Sequence, residues 1–317
     1  MRISLVVTTL NEAGTIGELL EAIDSQTRGP DELIVIDGGS SDRTLDLLRQ
    51  WAGTRPWVRV ESAPGANIAT GRNLGIRSAA GPVIAVTDAG CIPEPEWLER
   101  LEAGFSDPGT ELVMGFYRPD PRSRFEAILS CLNLPDAAEV NPERFMPSSR
   151  SVAFLKSAWS KAGGYPEWLD IGEDMYFNFR LLQEGVRRTF APEAVVRWRL
   201  RPDLPRTLRQ YFRYARGDAL GGMYPERHAL RFLTYLSAAS LIAAPRRRRA
   251  LIPVAALAGL KRMSPAYARA LRRLSPAEAG AALVVLPVLE LLLDLAKMAG
   301  FLAGLSAASA RAPVKVR

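Results

Sequence analysis

The sequence has few of the side chains on which many reaction mechanisms depend. Its 317 residues include one histidine, His228, and two cysteines, Cys91 and Cys131. Two cysteines cannot form a disulfide framework, and no cysteine–histidine cluster could bind structural zinc. Any Ser-His-Asp or Cys-His relay would have to use His228, whose place beside Glu226 and Arg227 at a predicted helix start favours a solvated cap or surface role. We therefore expect acid–base chemistry to depend on carboxylates.

Other absences narrow the class of protein. No Gly-x-Gly-x-x-Gly follows the first apolar run, which argues against a dinucleotide-dependent oxidoreductase. No repeat of 20–50 residues is found, and 48% apolar with 24% charged residues excludes wholesale disorder. Residues 1–7 lead directly into an apolar strand without a cleavable signal, so we expect the first part of the chain in the cytosol.

Charge divides the chain into two parts. Residues 1–226 contain 26 basic and 31 acidic side chains, whereas residues 227–317 contain 15 basic and 3 acidic ones. Parts that differ this much are expected to have different roles. The sequence therefore predicts a catalytic domain over 1–226 and a basic, apolar helical region over 227–317.

The hydrophobic pattern predicts an α/β fold. Short apolar runs alternate with helical patterns of about a dozen residues, as in a parallel sheet covered on both faces. Further along, strands and helices are mixed, which predicts a mixed extension of the same sheet before the C-terminal helical region. Strands are predicted at 3–8, 33–36, 58–60, 83–86, 112–117, 152–155 and 194–199, and the later helices at 174–184 and 205–222.

Two aspartates follow predicted strands of this sheet. Asp37 and Asp88 each stand at a strand end, where ligands of such sheets bind, so we expect them to share one crevice. Asp37 precedes two glycines and can accept a hydrogen bond from the N–H of a nucleotide base that approaches closely. An Asx-turn or helix cap is the alternative for Asp37. Asp42 is better explained as the cap of the second helix.

Segments along residues 3–220 together resemble family 2 glycosyltransferases. The segments are Val6-Val7-Thr8-Thr9-Leu10-Asn11-Glu12, Ile34 to Thr44 with its Asp37-Gly38-Gly39-Ser40, Ala69 to Ile76, Asp88-Ala89-Gly90, Gly172-Glu173-Asp174 and, more loosely, Arg209 to Tyr214. Each motif is weak by itself, but their order and spacing match. The resemblance implies a GT-A-type, Rossmann-like mixed sheet and an inverting transfer of sugar from a nucleotide-sugar donor, with UDP-sugars favoured.

The resemblance also implies donor-side residues and a metal ion. The nucleotide-binding candidates are Thr9, Asn11, Glu12, Asp37, Arg72 and Asp88. In the family the motif at Asp88 is Asp-x-Asp, which holds ribose and a divalent cation on the diphosphate. Here Gly90 replaces the second carboxylate. We expect Mg²⁺ or Mn²⁺ with Asp88 as ligand, held through Asp88 and water, completed by another carboxylate, or bound more weakly.

The resemblance places acid–base chemistry at Asp174. An inverting transfer needs a carboxylate to take the proton of the attacking hydroxyl, which we assign to Asp174. Glu173, Trp168 and Arg213 are the acceptor-side candidates: a carboxylate that orients the acceptor, a ring for sugar stacking and a cation. The alternatives are that Glu173 and Asp174 are first-turn acids of a helix, that Trp168 is core, and that Arg213 is on a solvated helix face.

The basic C-terminal region predicts membrane association. Three apolar runs, 229–244, 250–260 and 277–305, are flanked by arginines such as those at 246–249. The first two are too short to span a bilayer, and the third contains Glu290, Asp294 and Lys297. This pattern favours the surface of an anionic cytoplasmic leaflet. A spanning pair of helices and a soluble helical subdomain stay open, whereas nucleic-acid binding is disfavoured by the long Ala/Leu runs.

Cytoplasmic-face placement suits a lipid-linked or polysaccharide acceptor. The sequence therefore predicts an inverting glycosyltransferase at the cytoplasmic face of the cell membrane. The alternative is a non-catalytic nucleotide-sugar binder recruited to the membrane, which the missing carboxylate at Gly90 suggests.

Overall fold

A computed structural model describes residues 1–243, 245 and 252–308. The strands are β1 (Ile3–Thr9), β2 (Glu32–Asp37), β3 (Val58–Ser62), β4 (Val83–Asp88), β5 (Cys91–Pro93), β6 (Leu112–Pro119), β7 (Val152–Leu155) and β8 (Arg188–Trp198). The helices are α1 (Ile16–Asp24), α2 (Thr44–Ala52), α3 (Ile68–Ser78), α4 (Trp97–Ala103), α5 (Arg124–Asn133), α6 (Lys156–Lys161), α7 (Glu173–Gln183), α8 (Leu204–Leu220), α9 (Pro225–Ala243), α10 (Ile252–Arg273) and α11 (Pro276–Ala308).

The strands form one mixed sheet in the order β3-β2-β1-β4-β7-β6-β8-β5. Strands β3, β2, β1 and β4 run parallel, and β7 runs antiparallel to both β4 and β6. Strand β8 is parallel to β6, and β5 pairs antiparallel with β8. The predicted α/β class, the parallel first half and the mixed extension are therefore confirmed.

Each face of the sheet carries its own hydrophobic core. Leu5 and Val7 of β1 point to one face, where α1, α2 and α4 contribute apolar side chains. Val6 points to the other face, which α3, α6 and α7 cover. Alternate residues of a strand point to opposite faces of the sheet. A strand that is almost wholly apolar therefore needs cover on both faces, which is why helices were predicted on both sides. Strand β5 and helices α4, α5 and α6 were not predicted.

The described chain divides into two compact units. The first unit contains Met1–Asp120 and Asp136–Arg199, and so holds the whole sheet. The second unit contains Pro121–Pro135 and the described residues from Leu200 onward. Helix α8, within the range assigned from the sequence to the catalytic domain, belongs to the second unit. The division of roles at residue 226 stays a prediction.

The second unit is helical. Its core joins Ile128 and Cys131 of α5 to Met263 of α10 and Leu286 of α11, with small residues at many of the other positions. Helix α8 approaches α11 closely, and a Cβ at Gly304 would lie only 2.6 Å from the carbonyl oxygen of Arg216. Glycine at this crossing therefore allows backbone-to-backbone packing.

His228 is buried rather than solvated, so its predicted surface role is wrong. Only 1% of the residue is exposed, and its ring stacks on Phe301 with centroids 4.0 Å apart. Its Nε2 lies 2.8 Å from Asp218 Oδ2 and its Nδ1 lies 3.0 Å from Arg231 Nη1. Polar partners on α8 and α9 offset the free-energy cost of burying the polar imidazole ring.

Helix α11 is long and apolar enough to cross a membrane, with a mean hydropathy of 2.1 over its most apolar stretch. One third of that stretch is buried within the protein. No other helix within residues 1–243 and 252–308 passes the same test of length and composition. The arginine run at 246–249 and the start of the second apolar run lie outside the described residues.

Candidate active site

The two strand-end aspartates share one edge of the sheet. Asp37 at the end of β2 is in register with Thr9 at the end of β1, and Asp88 at the end of β4 is in register with Thr8. Strand β1 thus lies between the two carboxylates, as expected for parallel strands. Asp37 and Asp88 therefore lie at the same edge of the sheet, and the prediction that they share one crevice stays a prediction.

Asp37 forms an Asx-turn. Its Oδ2 accepts hydrogen bonds from the N–H groups of Gly39 (3.1 Å) and Ser40 (2.9 Å). Gly39 has a φ of +97°, and a Cβ there would lie 3.0 Å from Pro64 Cα, so the turn requires glycine. Asp37 is fully buried. The turn that the sequence left open is present, and base binding by Asp37 stays a prediction.

The loop after β1 is bonded to the loop after β2. Asn11 has a positive φ of 56°, and its Oδ1 accepts from the N–H of Ser41 at 2.8 Å. Glu12 receives the hydroxyl of Thr15 on its carboxylate, and its carbonyl begins α1. The Thr9 hydroxyl is buried without a hydrogen-bond partner among the described residues. The predicted base-side residues therefore line one preformed pair of loops.

Arg72 bridges two of the predicted site carboxylates. Its Nη2 donates to Asp88 Oδ1 and its Nη1 donates to Glu173 Oε1, each at 2.6 Å. Only 1% of Arg72 is exposed. Helix α3 reaches this position because a Cβ at Gly75 would lie 2.6 Å from Val6 of β1, so the helix packs directly on the strand.

Arg72 is a buried residue that orients Asp88, and not a solvated residue of the helix surface. Nucleotide binding by Arg72 stays a prediction. Burial lowers the pKa of Arg72, but the charges of Asp88 and Glu173 outweigh that effect and raise it above its ordinary value. The guanidinium is therefore a fixed positive charge at the strand ends.

Glu173 and Asp174 occupy the first turn of α7. Gly172, with a φ of +81°, turns the chain into the helix. Burial and the charge of Asp174 raise the pKa of Glu173 to about 7, against the lowering effect of Arg72. Asp174 is half-buried, and its Oδ2 accepts from the Ser148 hydroxyl at 3.2 Å. The pair combines a buried carboxyl bound to Arg72 with a more accessible carboxylate.

Arg150 and Ser148 are site residues that the sequence analysis missed. Arg150 Nη1 donates to Ser148 Oγ at 2.8 Å, and Arg150 Nε lies 3.9 Å from Asp88 Oδ2. The guanidinium also lies 4.0 Å from the centre of the Trp198 ring. Asp88 is thus linked to Glu173 through Arg72 and to Asp174 through Arg150 and Ser148.

The reversal of β7 explains why both residues reach the site. Val152 at the start of β7 pairs with Val86 near the end of β4, because the strands are antiparallel. The segment before β7 therefore lies at the edge where the parallel strands end. The only sequence signal was a Ser-Ser-Arg-Ser run directly before a predicted strand.

The two remaining acceptor-side candidates lie elsewhere. Trp168 is 45% exposed in the loop before α7 and packs edge-on against Tyr176, with centroids 5.4 Å apart. A core role for Trp168 is therefore excluded. Arg213 is exposed on α8 of the second unit. Its acceptor-side role stays a prediction.

One carboxylate of the site is placed to bind a cation. Among the described residues, no group of three or more His, Cys, Asp or Glu side chains surrounds a common point. A quarter of the Asp88 side chain is exposed, and only its Oδ1 is hydrogen-bonded to Arg72. Mg²⁺ is often held by one or two carboxylates together with substrate phosphates, so a single carboxylate oxygen fits such an ion.

The arrangement suits proton abstraction beside an anionic leaving group. Asp174 offers a carboxylate for a hydroxyl proton, and Arg72 and Arg150 place two guanidinium groups near Asp88. Guanidinium groups form strong bonds to phosphate oxygens.

Comparisons with known proteins relate this chain to glycosyltransferases. Residues 4–142 match the family model described as Glycosyl transferase family 2. The chain is 28% identical over 223 residues to glycosyltransferase AglE of Haloferax volcanii, covering 68% of this chain and 72% of that protein. It is 27% identical over 209 residues to the O-antigen chain rhamnosyltransferase RfbN of Salmonella typhimurium, covering 62% and 66%.

A solved structure has a similar fold. The mannosyltransferase PcManGT from Pyrobaculum calidifontis, solved in complex with GDP-Man and Mn²⁺, matches with a TM-score of 0.56 and 21% identity. The match covers 98% of this chain and 87% of that one. At this identity the likeness shows the fold, a GT-A-type mixed sheet flanked by helices.

Proposed function

We propose that this chain, which matches the Glycosyl transferase family 2 model over residues 4–142, is an enzyme that transfers a sugar, with inversion, from a nucleotide diphosphate to a hydroxyl of a lipid-linked or polysaccharide acceptor. The observation that carries the proposal is the placement of Asp174. Its carboxylate lies at the strand-end edge, joined through Ser148 and Arg150 to Asp88.

Asp174 is the general base of this proposal. Its carboxylate takes the proton of the acceptor hydroxyl as that oxygen bonds to the anomeric carbon. The bond from the anomeric carbon to the phosphate oxygen breaks on the opposite face, and the nucleoside diphosphate leaves with that electron pair. Glu173, bound to Arg72, positions the acceptor side of the site.

Arg72 and Arg150 stabilise the departing diphosphate. Negative charge grows on the phosphate oxygens as the bond breaks, and fixed guanidinium groups need no reorganisation to meet it. Ion pairs hold Arg72 in place, and Arg150 lies against the Trp198 ring with only 17% of its side chain exposed.

Asp88 is the proposed ligand of a divalent cation. Its Oδ2 is the oxygen that would hold Mg²⁺ or Mn²⁺, with the diphosphate supplying further oxygens. A bound cation supplies charge neutralisation at the leaving group.

The donor nucleotide is proposed to bind between the loops after β1 and β2. Thr9, Asn11, Glu12 and Asp37 line these loops, and the glycines after Asp37 allow a base to approach. We favour a UDP-sugar as donor.

The second unit is proposed to hold the enzyme at the cytoplasmic face of the cell membrane. Large hydrophobic side chains are exposed there on α9, α10 and α11. An anionic leaflet complements the 15 basic residues of 227–317. A lipid-linked acceptor would then lie at the surface where the enzyme works.

The substitution Asp174→Asn tests the proposed function. Release of nucleoside diphosphate from UDP-, GDP- and dTDP-sugars would be measured with and without Mn²⁺, using membrane lipid extract as the acceptor source. We expect one donor to be turned over and the variant to lose about 10²–10⁴-fold in rate, as is typical when a general base is removed. Nucleotide affinity, measured by calorimetry, should be unchanged.

Asp46→Asn, an exposed aspartate on α2, is the matched control and should keep the wild-type rate. Equal rates in wild type and Asp174→Asn would contradict the assignment of the base. Retention of the anomeric configuration in the product would contradict the inverting mechanism.

A further inference from the structure

A cavity of the first unit includes the acceptor-side candidate Trp168 but none of the residues assigned above to proton transfer, diphosphate binding or cation binding. It has a volume of about 450 Å³. It lies between α3, α6, α7 and the loop that leads into α7. Its aromatic and charged lining residues are Arg77, Trp159, Tyr165, Glu167, Trp168, Tyr176 and Arg180.

The wall of this cavity is rigidly built. Buried Asn73 accepts from Trp159 Nε1 (3.0 Å) and the Tyr165 N–H (2.9 Å), and donates to the Tyr165 carbonyl (2.8 Å) and Glu167 Oε1 (2.9 Å). All four bonds of the amide are therefore used to fix α6 and the loop before α7 to α3. A preformed wall of this kind is typical of ligand sites.

The cavity presents hydrogen-bond donors that have no partners. Neither the Tyr176 hydroxyl nor the Arg180 guanidinium forms a hydrogen bond or ion pair with another residue in the described part of the chain. The one acid of the lining, Glu167, is already engaged by Asn73 and lies 3.5 Å from Arg77. Unpaired donors beside an exposed indole ring suit a ligand with negative charge and a flat sugar face.

The cavity follows α7 away from the catalytic carboxylates. Glu173, Tyr176 and Arg180 are spaced i, i+3 and i+7 and so share one face of the helix. Seven residues of α-helix rise by about 10 Å.

We propose that this cavity binds an anionic saccharide unit of the acceptor, with Trp168 stacking on the ring and Arg180 and Arg77 binding its carboxylate or phosphate. The identification of this saccharide as part of the acceptor rests on the proposed function. The binding site itself does not require that transfer occurs. Tyr176 donates its hydroxyl to the same unit.

Titration of the full-length protein without nucleotide tests the proposal. The probes are glucuronic acid, glucose 6-phosphate, glucose, inorganic phosphate and UDP, followed by tryptophan fluorescence and calorimetry. We expect glucuronic acid or glucose 6-phosphate to bind at least tenfold more tightly than glucose or phosphate alone. Which of the two binds better distinguishes a carboxylate from a phosphate as the recognised group.

Three substitutions of cavity residues and one control substitution test the site. Arg180→Met should weaken binding of the preferred probe at least tenfold, and Arg77→Met gives a second test if the first variant unfolds. Arg49→Met, an exposed arginine on α2, should have no effect. Trp168→Ala should weaken the binding of all saccharides.

The proposal is overturned if no saccharide binds, if glucose binds as tightly as the anionic sugars, or if phosphate alone binds equally well. Displacement of the probe by UDP would also overturn it, since the cavity would then belong to the donor site. A failed transfer assay with intact, Arg180-dependent saccharide binding would sink the proposed function and leave this site standing.

Discussion

At the scale of single residues, Gly90 is the position that bears most directly on the proposed cation site. It follows Asp88 by two positions, where the family motif has a second carboxylate. A Cβ at Gly90 would meet no atom within 4 Å, and its φ is outside the left-handed region. Neither sterics nor backbone strain therefore excludes a larger residue here.

The substitution Gly90→Asp should strengthen metal-dependent nucleotide binding. A second carboxylate would supply a hard oxygen ligand at the position where the family motif has one. We expect Mn²⁺ to tighten UDP binding about tenfold more in the variant than in wild type, as measured by calorimetry with and without the ion. Gly90→Asn is the neutral control of similar size. An identical Mn²⁺ effect in wild type, Gly90→Asp and Gly90→Asn would contradict the prediction.

Glu173 gives the protein a pH-dependent stability. Its pKa of about 7 is above the ordinary carboxyl value of 4.5. Between these values the folded protein binds a proton that the unfolded chain has released, so the free energy of unfolding falls as pH rises through this window. The contribution is fully present below about pH 4.5 and is lost above about pH 7.

The substitution Glu173→Gln should remove this dependence. The unfolding free energy of wild type minus that of Glu173→Gln should decrease by about 3 kcal/mol between pH 4.5 and pH 8. Urea unfolding at both pH values measures it, and taking the difference cancels other carboxyls. Asp46→Asn should follow the wild-type slope. A difference that is constant or grows with pH would show that Glu173 is ionised throughout.

At this scale, residues that directly follow a predicted strand could be placed from the sequence. Asp37 and Asp88 could be placed because parallel strands end at one edge. Arg150 could not be placed, because its position depends on β7 running antiparallel to β4. The direction of pairing cannot be predicted from a four-residue apolar strand. The orientation of Arg72 also depended on contacts from β4 and α7, distant in sequence.

At the scale of elements, α11 carries two apolar stripes. Leu286, Leu289 and Leu293 are buried in the second unit, whereas Val284, Val288 and Leu295 are exposed on another side. The charged residues that interrupt the apolar run pair within the unit, with Asp294 fully buried. A helix of this kind is apolar around most of its surface, which is why its sequence alone did not distinguish burial from membrane contact.

Asp294 joins three helices. Its carboxylate accepts from Arg231 of α9 (2.8 Å), Arg262 of α10 (2.9 Å), Lys297 of α11 (3.2 Å) and the Tyr235 hydroxyl (3.1 Å). Burial acts to raise the pKa of Asp294, but the surrounding cations outweigh it and lower the pKa. Its stabilising effect is therefore present at neutral pH and is lost as pH falls through that lowered pKa.

The substitution Asp294→Asn should destabilise the second unit by about 2 kcal/mol. Removing the buried charge leaves cations without a partner, although the partial exposure of Arg262 reduces the cost below that of a fully buried pair. Thermal unfolding followed by circular dichroism measures the loss. Glu290→Gln on the same helix removes one partly exposed pair and should cost less than about 1 kcal/mol. Equal effects of both variants would show that Asp294 does not anchor the three helices.

His228 illustrates the same limit at the element scale. A histidine between charged residues at a helix start is usually solvated, and nothing local contradicted that interpretation. Its burial depends on Asp218 from α8 and on Phe301 from α11, two residues that are 83 positions apart in the sequence. Long-range packing of this kind cannot be derived from local periodicity.

At the scale of the molecule, exposed apolar surface is concentrated in one unit. Fourteen of the eighteen large hydrophobic residues exposed in the described chain lie on α9, α10 and α11. Soluble proteins rarely expose so many, and the chain from 227 onward also has 15 basic residues against 3 acidic ones. Apolar side chains with surrounding positive charge suit an anionic bilayer surface.

Full-length protein should therefore sediment with vesicles that contain anionic phosphatidylglycerol and much less with neutral phosphatidylcholine vesicles. Replacing Val284, Val288 and Leu295 by serine should reduce binding at least tenfold. Full burial of each apolar side chain in the membrane would contribute about 1.5–3 kcal/mol to the free energy of binding. Leu182→Ser, an exposed apolar residue of the first unit, is the control and should bind as wild type. Raised salt should weaken the electrostatic part of the binding.

Alkaline carbonate extraction then separates the two modes of membrane contact. A helix at the surface is released by the wash, whereas a spanning helix stays with the lipid. We expect release, since a spanning α11 would carry Asp294 and its cations to the depth of the hydrocarbon core, where charged groups are costly. In the sedimentation experiment, equal binding to neutral and anionic vesicles would show that the basic residues do not contribute. In the extraction, retention in the pellet would show that α11 spans the bilayer and that the apolar helices shield the Asp294 network within it.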